Sequence, residues 1–213
     1  MFPGGTKARF AARFFDGCDE VVYGSPCEGG AQTALATVGL ALGKRVTIFC
    51  AKRARPHPRS LMAKRLGAQV IQVAPGYLAV VKKRSYDYAK DVGARLLPFG
   101  LEADFAIETI AEVSSKVDLK GMGVEEVWCA GGSGVLARGL RKGMDGVDLR
   151  VVQVGRALEG ASCVAPWRFE QSCSVPCPFP SDPHYDAKAW TMLRKSARRE
   201  GKALFWNVAG PAD

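Results

Sequence analysis

VVYGSPCEGGAQTALATVGLALGKRVTIFC, residues 21–50, sets the architecture of this chain. VVYGS (21–25) is short and rich in valine, with glycine and proline at its end, so it predicts a buried strand. AQTALATVGLALG (31–43) carries apolar residues at helical spacing and stops at Gly43, a common helix C-terminal signal. KRVTIFC (44–50) returns to strand. Strand, helix and strand in this order predict two parallel strands joined by a crossover helix.

The alternation continues outward. AQVIQVA (68–74) and ARLLPF (94–99) predict further strands, and PRSLMAKRLG (58–67) a helix. A second series follows: helix 104–116, strand 125–130, helix 134–143 and strand 149–155. The stretch 156–183, rich in Pro, Cys and Ser, predicts an irregular loop or cover. A last helix (186–200) and strand (202–208) complete an α/β fold with helices on both faces of parallel strands. The 213 residues suffice for one large domain or two small lobes. No repeat, low-complexity tract or linker interrupts them.

Hydrophobic residues make up 47% of the chain, which excludes a mostly disordered protein. No apolar run reaches the roughly 18 residues of a membrane span, and MFPGGTKARF has no signal-peptide core. A soluble, cytoplasmic protein without membrane partners is expected. Thirty Lys and Arg against 21 Asp and Glu give a net charge of +9. That surplus suits a nucleic acid, a phosphorylated cofactor or an acidic small molecule, and equally a plain solvated surface. The seven cysteines form no CxxC pair and only two histidines are present, so no metal site is expected and reduced thiols are the simple reading. Cys163, Cys173 and Cys177 are the nearest approach to a metal cluster.

Two segments carry candidate chemistry. WCAGGSGVLARGL (128–140) runs from a strand through Gly131, Gly132, Ser133 and Gly134 into a helix. Such a loop seats a phosphate on helix N-terminal N–H groups, or is an ordinary tight turn. It lacks the GxxxxGK[ST] spacing of a nucleotide triphosphatase. PGGTKARFAARFF (3–15) places Lys7 at the start of an amphipathic helix beside Arg9 and Arg13. Neighbouring cations disfavour its ammonium form, making it a candidate nucleophilic amine or simply one surface lysine among many.

In their shared order, GGTKARFAARFF, GSPCEGGAQTALATVGLALGKRVTIF, AGGSGVLARGL and DPHYDAKAWTMLRKSARREGKALFWNVAG resemble the fold type II pyridoxal-phosphate enzymes. The branch they resemble contains 1-aminocyclopropane-1-carboxylate deaminase and D-cysteine desulfhydrase. The resemblance covers residues 3 to 210 and implies a two-lobed parallel-sheet fold (tryptophan synthase β-like), with its site between the lobes. Lobe one would span about 17–100, and lobe two about 1–16 plus 101–213; a homodimer is expected. Lys7 matches the lysine that carries pyridoxal 5'-phosphate, and Gly131, Gly132, Ser133 and Gly134 the phosphate loop. Tyr185 matches the active-site tyrosine. Asp186 falls where a carboxylate faces the pyridine nitrogen and strengthens the ring as an electron sink. A helix cap with a packed aromatic is the structural alternative for this pair. Asn207 and Ala209 match positions bordering the ring, although Val208 replaces the family's Thr.

Departures cluster where the family grips a free amino acid. Its Ser-Asn-His trio is here Cys27, Glu28 and Gly29, candidates for substrate contact, with Glu28 also a candidate for the cofactor ring. Gln32 and Thr33 persist, but the preceding arginine is Ala31. The implied activity is a lyase reaction at Cα of an amino acid or amino-acid-derived group, with Lys7 and Tyr185 as acid and base. Loss of the carboxylate clamp favours decarboxylation. Basic clusters such as Lys52-Arg53-Ala54-Arg55, Lys64-Arg65, Lys82-Lys83-Arg84, Arg141-Lys142, Arg194-Lys195 and Arg198-Arg199 suggest DNA. An aminoacyl group on a modified base, as in phage-type DNA hypermodification, would join the two features. The alternative within the class is a deaminase or desulfhydrase acting on a small free amino acid. Outside it stand a phosphoribosyltransferase, whose acidic pair should adjoin the glycine loop whereas Glu125-Glu126 precede the strand, and a non-catalytic DNA-binding scaffold, which leaves the ordered motifs unexplained.

Overall fold

The computed structural model describes residues 5–74, 76–198 and 201–208. Gly4 of the turn before Lys7, Arg199 and Ala209 lie outside the described residues. The chain divides after Leu101 into two compact units.

Unit one opens with α1 (Gly5–Ala11) and a 3-10 turn (Ala12–Phe15). It continues through β1 (Glu20–Gly24), α2 (Ala31–Leu42), β2 (Arg45–Ala51), α3 (Pro58–Arg65), β3 (Gln69–Val73), α4 (Leu78–Val92) and β4 (Arg95–Leu96). Its four strands are all parallel, in the order β3-β2-β1-β4. Every residue of β1 is buried, as expected of a central strand covered on both faces. Gly43 closes α2 in the left-handed conformation (φ 64°), as its position predicts. His57 caps α3, its Nδ1 accepting from Arg59 N–H at 3.2 Å, and Pro58 takes the first helical position. Residues 5–16, expected with the second lobe, belong to unit one, where α1 packs against α2 and buries Phe10 and Ala11. The 15-residue helix α4 is not anticipated from sequence. It buries only Val81, Ser85 and Ala89, a stripe too narrow and too small to register as amphipathic.

Unit two contains α5 (Asp104–Ser115), β5 (Glu126–Gly131), α6 (Val135–Gly143), β6 (Asp148–Gln153), β7 (Cys163–Val164), α7 (Asp186–Ser196) and β8 (Ala203–Trp206). Its strands are also parallel, ordered β7-β6-β5-β8, with β5 buried along its whole length. The core on one face joins Trp128, Ala130, Val152, Val154, Ala189 and Leu193. The stretch 156–183 is largely irregular, as expected, but contributes the short strand β7. It is anchored by Phe179, which packs on Trp190 and Phe205 with ring centroids 5.1 and 5.6 Å away. No helix among the described residues is long and apolar enough to cross a membrane.

Candidate functional site

In unit two, β5 runs into the glycine loop and the loop into α6. Gly134 sits at φ +89°, a conformation that side chains resist, and this turns the chain into the helix. A Cβ at Gly131 would lie 2.5 Å from Leu158 and 2.7 Å from Val151, so the strand end tolerates no side chain. Among the described residues, the N–H groups of Ser133 and Gly134 donate to no protein acceptor. Directed from a loop at the start of α6, they form a ready anion seat.

Tyr185 lies against this loop. A Cβ at Gly132 would meet its Oη at 3.2 Å, and its hydroxyl donates to Ala130 O at 3.2 Å. Burial, and after it the nearby Asp186 carboxylate, push the phenol far above its ordinary value, so it persists as a neutral O–H. Asp186, fully buried in the first turn of α7, accepts from Val208 N–H at 3.3 Å. Burial, then Asp186, likewise raise the Cys129 thiol to about 12, so that cysteine is inert. Asn207 ties down the loop below: its Nδ2 donates to Pro180 O at 2.8 Å and its Oδ1 accepts from Ser181 at 3.3 Å. The structure thus brings Gly131–Gly134, Tyr185, Asp186 and Asn207 to one end of a single sheet.

Two residues that position this half are not singled out by sequence reasoning. Asp182, nearly fully buried, accepts from His184 N–H at 2.7 Å through its carboxylate, while its carbonyl takes the N–H groups of Tyr185 and Ala187. It shapes the turn that delivers Tyr185. Lys188, on α7 and fully buried, donates to the carbonyls of Arg168 and Phe169 at 2.8 and 3.2 Å. Both belong to the quoted DPHYDAKAW segment; Lys188 was detectable as a charge between two alanines of a buried helix face.

In unit one, Lys7 stands half-buried in the first turn of α1. The loop Ser25–Gly30 joins β1 to α2. Here the structure changes the expected roles. Gln32 does not face outward: its amide donates to Pro26 O and Cys27 O, both at 2.9 Å, and accepts from Ser60 at 2.9 Å. It is a positioning residue for the loop. Cys27 also turns inward, its Sγ donating to Ala51 O at 3.1 Å. Glu28 and Gly29 are left as the half-buried members of the trio. Gly29 has no room for a side chain, since its Cβ would lie 2.6 Å from Ser25 Oγ. Beneath them the Arg59 guanidinium, almost fully buried, approaches Thr33 at 3.5 Å. No group of three or more potential metal ligands occurs among the described residues, and Cys163, Cys173 and Cys177 form no such centre.

These residues fit the phosphorylated pyridine cofactor that the resemblance implies. The anion seat has unused donors, a side chain on Gly132 would invade the space beside it, and a buried carboxylate stands at the neighbouring helix start.

No protein-family model and no curated protein matches this chain. Solved structures do. A homologue of ACC deaminase superposes with a TM-score of 0.77 at 14% identity, covering 97% of this chain and 79% of that one. The hydrogen sulfide-producing enzyme of Fusobacterium nucleatum gives 0.70 at 12% identity, over 97% and 77%. Cysteine synthase of Entamoeba histolytica gives 0.69 at 12% identity, over 96% and 75%. At such identities the likeness is one of architecture: the chain has the parallel-sheet α/β fold of the type II pyridoxal-phosphate-dependent class.

Proposed function

We propose that this protein is a pyridoxal-phosphate-dependent lyase that breaks a bond at Cα of an amino acid or amino-acid-derived group. The observation that carries the reading is the glycine loop with two unused N–H donors, packed against a buried Tyr185–Asp186 pair in this fold. The N–H groups at residues 132–134 and the Ser133 hydroxyl would hold the phosphate, Asp186 the ring nitrogen, and the Lys7 amine the aldehyde carbon. When bound, the cofactor supplies an electron sink for the pair left by the broken Cα bond.

The chain's own groups then have distinct tasks. Lys7, released when the substrate amine takes its place, accepts or returns the proton at Cα. Tyr185 cannot serve as a base, because burial keeps its proton in place. It acts as a fixed donor and as the wall that orients the loop. Gln32 and Ser60 hold the Pro26–Gly30 segment rigid from behind.

For the substrate, we infer decarboxylation of an aminoacyl group attached to a modified DNA base. Two features support this. Residues 27–29 offer a substrate carboxylate neither a hydroxyl nor an imidazole, only an inward thiol, the Glu28 carboxylate and a glycine, so the carboxylate is free to leave the ring plane. Unit one also exposes Lys52, Arg55, Lys64, Arg65 and Arg84, which pair with no carboxylate among the described residues. The second reading is deamination or desulfhydration of a small free amino acid, favoured by the architectural neighbours named above.

The decisive measurement is the visible spectrum of the purified protein with added pyridoxal phosphate, beside Lys7→Ala. A near-violet band that borohydride abolishes and the variant lacks is expected. A colourless wild-type protein overturns the cofactor assignment. With the band in hand, carbon dioxide release from aminoacylated DNA separates the first reading from ammonia or sulfide release from free amino acids.

A further inference from the structure

Two thiols meet at the C-terminal edge of the unit-one sheet. Parallel register pairs Gly24 with Phe49, and Ser25 N–H extends it to Phe49 O at 2.8 Å, so the following loop folds over residues 50 and 51. Cys27 on that loop reaches Ala51 O at 3.1 Å, and Cys50 on β2 lies 3.8 Å from Ser60 Oγ. The two sulfurs are within hydrogen-bonding reach of each other and both are free thiols. Gln32 fixes the approach by gripping the Pro26 and Cys27 carbonyls. The exposed Arg53 side chain also contacts the Cys27 sulfur, placing it one side chain beneath the surface.

The environments of the two thiols differ. Contact with Cys50, and the Arg53 cation, hold Cys27 below the usual thiol range against burial and the Glu28 charge. The same contact, together with burial, drives Cys50 upward. One sulfur is therefore the nucleophile and the other its proton-bearing neighbour.

We propose that Cys27 and Cys50 form an oxidation-sensitive dithiol, in which Cys27 reacts with a hydroperoxide and Cys50 resolves the product into a disulfide. The Cys27 thiolate attacks one peroxide oxygen, the O–O bond breaks, and a sulfenic acid and hydroxide (or alkoxide) form. Cys50 sulfur then attacks Cys27 sulfur; its proton leaves with the sulfenic hydroxyl as water. Two electrons pass from the thiols to the peroxide. The new bond ties the loop bearing Glu28 and Gly29 to β2, which makes that loop the regulated element.

The test uses the full chain, treated with hydrogen peroxide, alkylated with iodoacetamide and digested for mass spectrometry. Expected is the paired loss of the Cys27 and Cys50 alkylation products and the appearance of one linked peptide, reversed by a thiol reductant. In Cys50→Ser, Cys27 should instead accumulate as a sulfenic acid captured by dimedone. Persistence of alkylatable Cys27 while other cysteines oxidise would overturn the proposal, as would linkage of Cys27 to Cys18. The wild-type peptide map decides even if the variant fails to fold. It reads sulfur chemistry alone, so it stands apart from whether Lys7 carries the cofactor.

Discussion

Gln32 and Glu20 show how single buried polar groups hold unit one in register. Replacing Gln32 by Leu removes three hydrogen bonds and leaves loop carbonyls short of a donor, so a loss of about 2–3 kcal/mol in denaturant unfolding is expected. Glu20 on β1 is pushed up by burial, but hydrogen bonds from Thr47, Arg45 and Tyr88 outweigh that and leave its pKa below the ordinary 4.5. A depressed folded-state value means Glu20 stabilises the fold above pH 4.5 and loses that contribution as pH falls through its folded value. Glu20→Gln should therefore flatten the acid limb of the stability–pH profile, measured by thermal unfolding across that window. Gln32 was legible as a motif residue, yet its inward orientation was not. Nothing in a sequence tells whether an amide at a helix start faces a ligand or the loop behind it. The glycine loop was legible because φ and close approach exclude other residues, and Tyr185 because its motif is positional.

At the scale of elements, the strands and most helices follow from apolar runs with glycine at their ends, and observed bounds differ by a residue or two. The exceptions have physical causes. Helix α4 buries small residues, so its inward stripe carries little hydrophobic signal. Strand β7 is two residues long and exists through pairing with β6, a tertiary fact rather than a local one. Helices α5 and α6 approach closely because Gly139 and Gly143 present no side chain. A Cβ at Gly143 would fall 2.1 Å from Ser114 Oγ and 2.3 Å from Ala111 O. Gly143→Val should force these helices apart and cost about 1–3 kcal/mol, read as a lowered midpoint of chemical unfolding.

Across the whole molecule, charge is the property with the longest reach. Not all of the +9 is free to meet a polyanion. Lys142 pairs with Glu108, Lys83 with Asp87, and Arg198 with Asp148 and Glu126. The uncommitted cations named above concentrate on unit one. If they meet DNA, affinity should fall steeply with salt, with a log–log slope of about −0.9 per phosphate contacted. Changing Lys64 and Arg65 together to Glu should make that slope shallower in a fluorescence anisotropy titration, while the unfolding midpoint shifts little. An unchanged slope would remove this surface from the interface.

The order β7-β6-β5-β8 has a further consequence for how the protein is made. Strand β5, buried throughout, is flanked on one side by β6, which follows within a few dozen residues, and on the other by β8, near the end of the described chain. During synthesis the EVWCAG edge must stay unpaired until residues 203–206 clear the ribosome. An open, apolar edge invites pairing with another nascent chain. Translation that stalls before β8 would therefore release a sticky intermediate, and the yield of native protein would depend on how quickly that last strand emerges.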